Sequence, residues 1–210
     1  MSTGTSAAPS TTTAQSPAAE ALPPASAREN TALLVIDVQT GVMAASWNSD
    51  EVVERISDLV EKARAEGTEV IWVRHSAREM PSGSPQWQIV DSLSPAVGEA
   101  IIEKTHGSAF EDTNFEDVLA SEDVGHLVVT GAQSDACVRS TIHGGFARGY
   151  DVTLVSDAHT TEDLSDWGAP PPEQVISHTN LYWTFESGPG RTARVLEAAE
   201  VDFAAPDQDD

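Results

Sequence analysis

The chain has 210 residues, 40% of them hydrophobic, and 34 acidic against 11 basic residues give a formal charge of −23. That length suits one domain with a sizeable core and a tail. The charge argues against nucleic acid and anionic membranes as partners, since no basic stripe is available to neutralise phosphates, and it is read as serving solubility.

The single cysteine excludes an internal disulfide framework. A lone reactive thiol fits a reducing compartment, so a cytoplasmic location is expected. No apolar run approaches membrane-spanning length, and no basic region followed by an apolar one marks a secretory signal. Residues 1–27 are almost entirely Ser, Thr, Ala, Pro and Gln, the composition of a disordered tail. The domain is expected over residues 28–205, with 206–210 as a short acidic tail.

Ala32 to Ile36 is a continuous apolar run ending at Asp37, as expected of a strand buried on both faces. Val52, Val53, Ile56, Leu59, Val60 and Ala63 follow at helical spacing, with Asn48 or Ser49 as cap and Gly67 as terminator. Lys62 falls on the helix face read as solvated. Val70 to Val73 reads as the next strand, and residues 76–99 as a long Ser/Pro/Gly-rich loop holding Trp87. A short strand precedes Lys104, and Phe115, Val118 and Leu119 mark a short helix. Then come a strand at 127–130, a turn to Ala136, a helix over 137–148 and a strand from Val152 to Val155. Helices are predicted around 173–181 and from Thr192 to Ala199.

Strands separated by helices imply crossover units and a three-layer α/β/α sandwich with a mostly parallel, doubly wound sheet. In such sheets ligand sites gather beyond the carboxyl ends of the strands. Asp37, His75, Lys104, the turn before Cys137 and Asp157 all follow strands, so they are predicted to share one edge.

Cys137 opens a helix, where the macrodipole and unpaired backbone N–H groups favour thiolate. Its helix carries Val138, Ile142 and Phe146. Lys104 is one of only two lysines, and an ammonium near the thiol would lower its pKa. Asp37 would move the protons. Taken singly, Cys137 is an ordinary small buried hydrophobe, Asp37 a turn residue and Lys104 a surface charge.

Ala32-Leu33-Leu34-Val35-Ile36-Asp37-Val38-Gln39, Glu103-Lys104 with Ser108-Ala109-Phe110, Gly131 through Thr141, Gly149-Tyr150-Asp151-Val152 and Ser156-Asp157-Ala158 occur in that order. In this the chain resembles the isochorismatase-like cysteine hydrolases over residues 30–185. The resemblance implies a catalytic triad of Asp37, Lys104 and Cys137. It implies a cis peptide at Ala132–Gln133 and an oxyanion hole made by the backbone N–H groups of Gln133 and Cys137. It further implies cleavage of a C–N bond of an amide, urea or carbamoyl group through an acyl-enzyme, a small-molecule substrate and a homo-oligomer. Pocket walls are expected from Gln39, His75, Trp87, Phe110 and Trp183, with Trp47 nearby.

Nicotinamidases of this family carry an Asp-x-His and further histidines that bind a metal. Here Arg74-His75-Ser76-Ala77-Arg78 has no second histidine near. No cofactor and no metal is expected, and the six histidines show no HExxH spacing. His75, the 83–89 stretch and His178-Thr179-Asn180 with Trp183 resemble the branch that includes streptothricin-hydrolase-like proteins. His159 and Asp157 read as structural. Two rival readings stand beside amide hydrolysis: cleavage of a vinyl ether, and a non-catalytic binding protein on the same scaffold.

Overall fold

The computed structural model describes Met1 and residues 23–203. The expected tail at 2–22 and the acidic end at 206–210 lie outside the described residues. Residues 25–27 do not belong to a tail. They form a 3-10 turn, and Ala25 is buried against the core.

Strand β1 (Asn30–Ile36) leads through the single-turn helix α1 (Thr40–Met43) to α2 (Ser49–Glu66). Strands β2 (Glu69–His75) and β3 (Ile101–Lys104), helix α3 (Phe115–Ser121) and strand β4 (Val124–Ala132) follow. Beyond them come helix α4 (Arg139–Arg148), strand β5 (Asp151–Thr160), helix α5 (Pro172–Thr184) and strands β6 (Ser187–Gly188) and β7 (Arg191–Leu196). The sheet order is β3-β2-β1-β4-β5-β7-β6, parallel except for the β6–β7 pair. Among the described residues no helix is long and apolar enough to cross a membrane.

The central strands are apolar on both sides because both faces are covered. On one face Leu34 and Ile36 meet Phe115, Leu119, Ile142, Phe146 and Trp183 from α3, α4 and α5. On the other, Leu33 and Val35 meet Val52, Ile56, Leu59, Val60 and Ala63 of α2. That buried set on α2 is the helical repeat read in the sequence, and Gly67 at φ +76° closes the helix. The start differs from expectation. Asn48 is left-handed, and its amide donates to Glu51 at 2.8 Å instead of capping a backbone N–H. Lys62 is not merely solvated, since its Nζ donates to the Val201 carbonyl.

The expected last helix, Thr192 to Ala199, is a correction. Residues 191–196 are β7, paired in parallel with β5 from Val152↔Ala193 to Val155↔Leu196. The open edge of β5 offers backbone partners that outweigh the helical propensity of Ala-Arg-Val-Leu. Strand β5 is also longer than the apolar run that announced it. Its register breaks between Val129↔Leu154 and Gly131↔His159, so β4 advances two residues while β5 advances five. The detour returns His159 and Thr160 to pair beside Gly131 and Ala132.

Gly131 lets β1 and β4 approach at this level. It sits at φ +111°, and a Cβ there would lie 2.0 Å from the Ile36 carbonyl oxygen. No rotamer relieves a clash with backbone. Gly131→Ala is expected to cost more than about 3 kcal/mol, read as a lowered urea midpoint. An unchanged midpoint would mean that the two strands separate there without loss.

Candidate active site

Each strand end delivers one group to the carboxyl edge of the sheet. Asp37 follows β1 in the left-handed region at φ 51°, a conformation Asp tolerates better than most residues. Its amide donates to Val73 and its carbonyl accepts from Gln39, which turns the chain sharply. Lys104 ends β3, and its side chain is wholly buried. Cys137 lies in a single π-helical turn, Ser134–Val138, between β4 and α4. The helix predicted from 137 thus begins at Arg139, and the thiol sits in the turn that feeds it.

Lys104 Nζ donates to Asp37 Oδ2 at 2.7 Å, lies 3.2 Å from His75 Nδ1 and donates to the His106 carbonyl at 3.3 Å. An ammonium has three protons and no lone pair, so each of these atoms is an acceptor. The Nδ1 contact suits a neutral His75 ring with its proton on Nε2. Burial and the nearby Lys104 charge both hold the His75 pKa below its ordinary value. Asp37, His75 and Cys137 each offer one ligand-type atom, all within 4.8 Å of one another.

The electrostatics differ from expectation at the thiol. Burial, then the Asp37 charge, push the Cys137 pKa up to about 12, and the Lys104 charge recovers only part of that. Burial also raises Asp37 above its usual carboxylate value, against the pull of Lys104. Charge balance explains the thiol. A carboxylate and an ammonium sum to zero, and a thiolate beside them would leave a net charge where burial makes charge costly. Asp37 Oδ1 is buried and has no hydrogen-bond partner among the described residues.

The Ala132–Gln133 peptide is cis. The Gln133 carbonyl accepts the amides of Ala136 at 3.0 Å and Val138 at 3.1 Å, passing over that of Cys137. Two side chains hold this turn from β5 and the residue after it. Ser134 Oγ lies 2.7 Å from His159 Nδ1, and Thr161 donates to Asp135 at 2.7 Å.

Four of the five residues expected to line the pocket are committed elsewhere. Gln39 is fully buried; it donates to the His75 and Trp87 carbonyls and accepts the His75 amide. Trp87 is buried beneath the Arg74 guanidinium, 3.7 Å above its ring. Phe110 packs on Phe115 and Tyr150 under Arg148. Trp183 is wholly buried against Phe146. Of the five, only His75 stands half-buried beside Asp37, Lys104 and Cys137, and Trp47 is partly exposed with its amide on the Thr161 carbonyl. Asp157 accepts the Ala198 amide and pairs with Arg55, so it anchors the chain after β7. The Gln39 clamp and the Ser134–His159 contact escaped the sequence reading.

The Asp37, His75 and Cys137 atoms form an O, N, S donor set of the kind that suits a soft divalent cation. The Lys104 ammonium already donates to Asp37 Oδ2 and lies 3.2 Å from His75 Nδ1, so such an ion would face its positive charge at close range.

A doubly wound sheet with a cysteine, a buried carboxylate–ammonium pair and a histidine at its carboxyl edge defines an α/β cysteine hydrolase. The chain belongs to the isochorismatase family: the isochorismatase domain matches residues 31–169. It is 34% identical over 183 residues to a streptothricin hydrolase of Streptomyces noursei, covering 83% of this chain and 71% of that protein. It is 31% identical over 122 residues to an N-carbamoylsarcosine amidase of Arthrobacter sp, covering 48% of this chain and 46% of that one. The crystal structure of an isochorismatase from Pseudomonas putida KT2440 superposes with a TM-score of 0.74 at 27% identity, covering 88% of this chain and 94% of the other.

Proposed function

We propose that the protein hydrolyses a C–N bond of a small amide or carbamoyl compound through a thioester on Cys137. The observation that carries this is the unpartnered, buried Oδ1 of Asp37 in the cluster that holds the thiol, with Oδ2 committed to Lys104. Asp37 Oδ1 takes the thiol proton as Sγ attacks the carbonyl carbon. The proton moves as the negative charge passes to the substrate oxygen, so the buried site never holds a free thiolate. The amides of Gln133 and Cys137 receive that oxyanion. Asp37 then gives its proton to the departing nitrogen, the C–N bond breaks and the acyl group stays on sulfur. Water attacks the thioester with Asp37 again as base, releasing acid and thiol. The amidase among the relatives supports the bond type.

The test is release of ammonia or amine from a panel of small amides, ureas and carbamoyl compounds, with a vinyl ether as comparison. Release from the nitrogen compounds alone is expected. Turnover of the vinyl ether alone would move the reading to the first rival, and turnover of neither to the binding scaffold.

The thiol's resting state has its own test. With a pKa near 12, the rate of iodoacetamide alkylation should climb about tenfold per pH unit from 7 to 10 without levelling. A plateau near or below the free-thiol value of about 8.5 would mean that Lys104 outweighs burial and holds a thiolate.

A further inference from the structure

Half-buried Asn180 and the buried His159 and Ser134 form a chain that the mechanism above does not use. Its polarity can be read from one end. Asn180 Nδ2 donates to the Ser156 carbonyl at 3.0 Å, which leaves Oδ1, 2.8 Å from His159 Nε2, as the acceptor there. His159 Nε2 therefore carries the proton. Nδ1 is then an acceptor, and the Ser134 hydroxyl at 2.7 Å donates to it. The ring is buried, with 1% of its surface exposed, and Ser134 is fully buried. Burial also holds His159 in the neutral form that this chain of donors needs.

The chain ends on a particular residue. Ser134 follows Gln133, whose amide is one proposed oxyanion donor, and stands in the π-helical turn that carries Cys137. The detour in β5 is what brings His159 beneath that turn. Resting on the reading of Proposed function, we propose that His159 is a positioning residue. Through Ser134 it fixes the Gln133–Cys137 turn so that both amides face the developing oxyanion. It touches no substrate. Oxyanion donors act on the transition state more than on bound substrate, so the loss should fall on kcat and spare KM.

The experiment compares Ser134→Ala, His159→Leu, the double variant and His159→Gln in the full chain, with Tm recorded for each. Gln can accept from Ser134 and donate to Asn180, and Leu can do neither. Ser134→Ala and His159→Leu are each expected to lose about tenfold to a hundredfold in kcat, with KM within about twofold. The double variant should be no worse than the poorer single one, because both break the same link. His159→Gln should keep most of the wild-type kcat. Losses that multiply, a change carried by KM, or kcat within twofold of wild type in both single variants would overturn the proposal. Ser134→Ala keeps the test open should His159→Leu fail to fold.

A second readout needs no turnover. A loosened turn exposes the thiol, so Cys137 alkylation should quicken by about threefold or more in Ser134→Ala and His159→Leu, and not in His159→Gln. If the wild type hydrolyses nothing, the functional reading fails while this arm still decides on the turn. Unchanged alkylation in both variants would overturn the positioning role.

Discussion

Cys137→Ala is expected to abolish hydrolysis of any amide that the wild type turns over, by about four orders of magnitude or more. The fold should survive. Cys137 is only partly buried and packs at the margin of the core, so truncating its Sγ removes few contacts. A loss under about 1 kcal/mol corresponds to no more than a few degrees in Tm. The two measurements belong together: kcat at saturating substrate, and a thermal melt of the same preparation. Retained turnover in a folded variant would remove the thioester from the mechanism and return the site to the vinyl-ether or binding readings. A variant both dead and unfolded would point to packing as the role of the sulfur.

Asp37→Asn should be almost as damaging to turnover and far more damaging to stability. The amide cannot take the thiol proton or hand it to the leaving nitrogen, and general acid–base steps of this kind contribute about 10²–10⁴-fold. Asn suits the left-handed backbone at position 37, so the substitution leaves the turn itself intact. It does strip a buried ammonium of its counter-ion. Breaking a buried pair from one side costs about 3–5 kcal/mol. The side chains of Lys104 and Asp37 are 0% and 3% exposed, so the full penalty should be felt. Removing the ammonium as well, in Asp37→Asn with Lys104→Met, should restore part of that stability and none of the activity. Urea midpoints and kcat for the single and double variants would check both halves. Equal stability in the single and double variants would mean that water reaches Lys104 and screens it.

The site was legible in the sequence where chemistry coincides with a strand end. Asp37 closes an apolar run, Lys104 ends a short strand-like one, and Cys137 follows one across a turn. In a parallel sheet those ends lie together whatever the loops do. The walls were not legible. Gln39, Phe110 and Trp183 could be assigned to a pocket only by residue type, and their burial depends on what stands opposite them. Trp183 is capped by Phe146 from α4, and Gln39 is spent on the backbone of His75 and Trp87. The β7 strand was hidden because its residues favour helix locally, and only the free edge of β5 decides otherwise. The thiol pKa could not be read either. Local sequence supplies a helix start and a lysine, but the depth of burial is a property of the assembled layers.

The strand order also bears on how the chain reaches this state. Strand β1 lies inside the sheet, flanked by β2 and β4, and its Leu33 stands opposite Val128 in β4. Chain emerging from a ribosome therefore exposes one edge of this apolar strand until β4 has been made. Such distant pairing slows folding and leaves an open edge meanwhile. The cysteine site can assemble only after its last part, the turn beyond β4, has been synthesised.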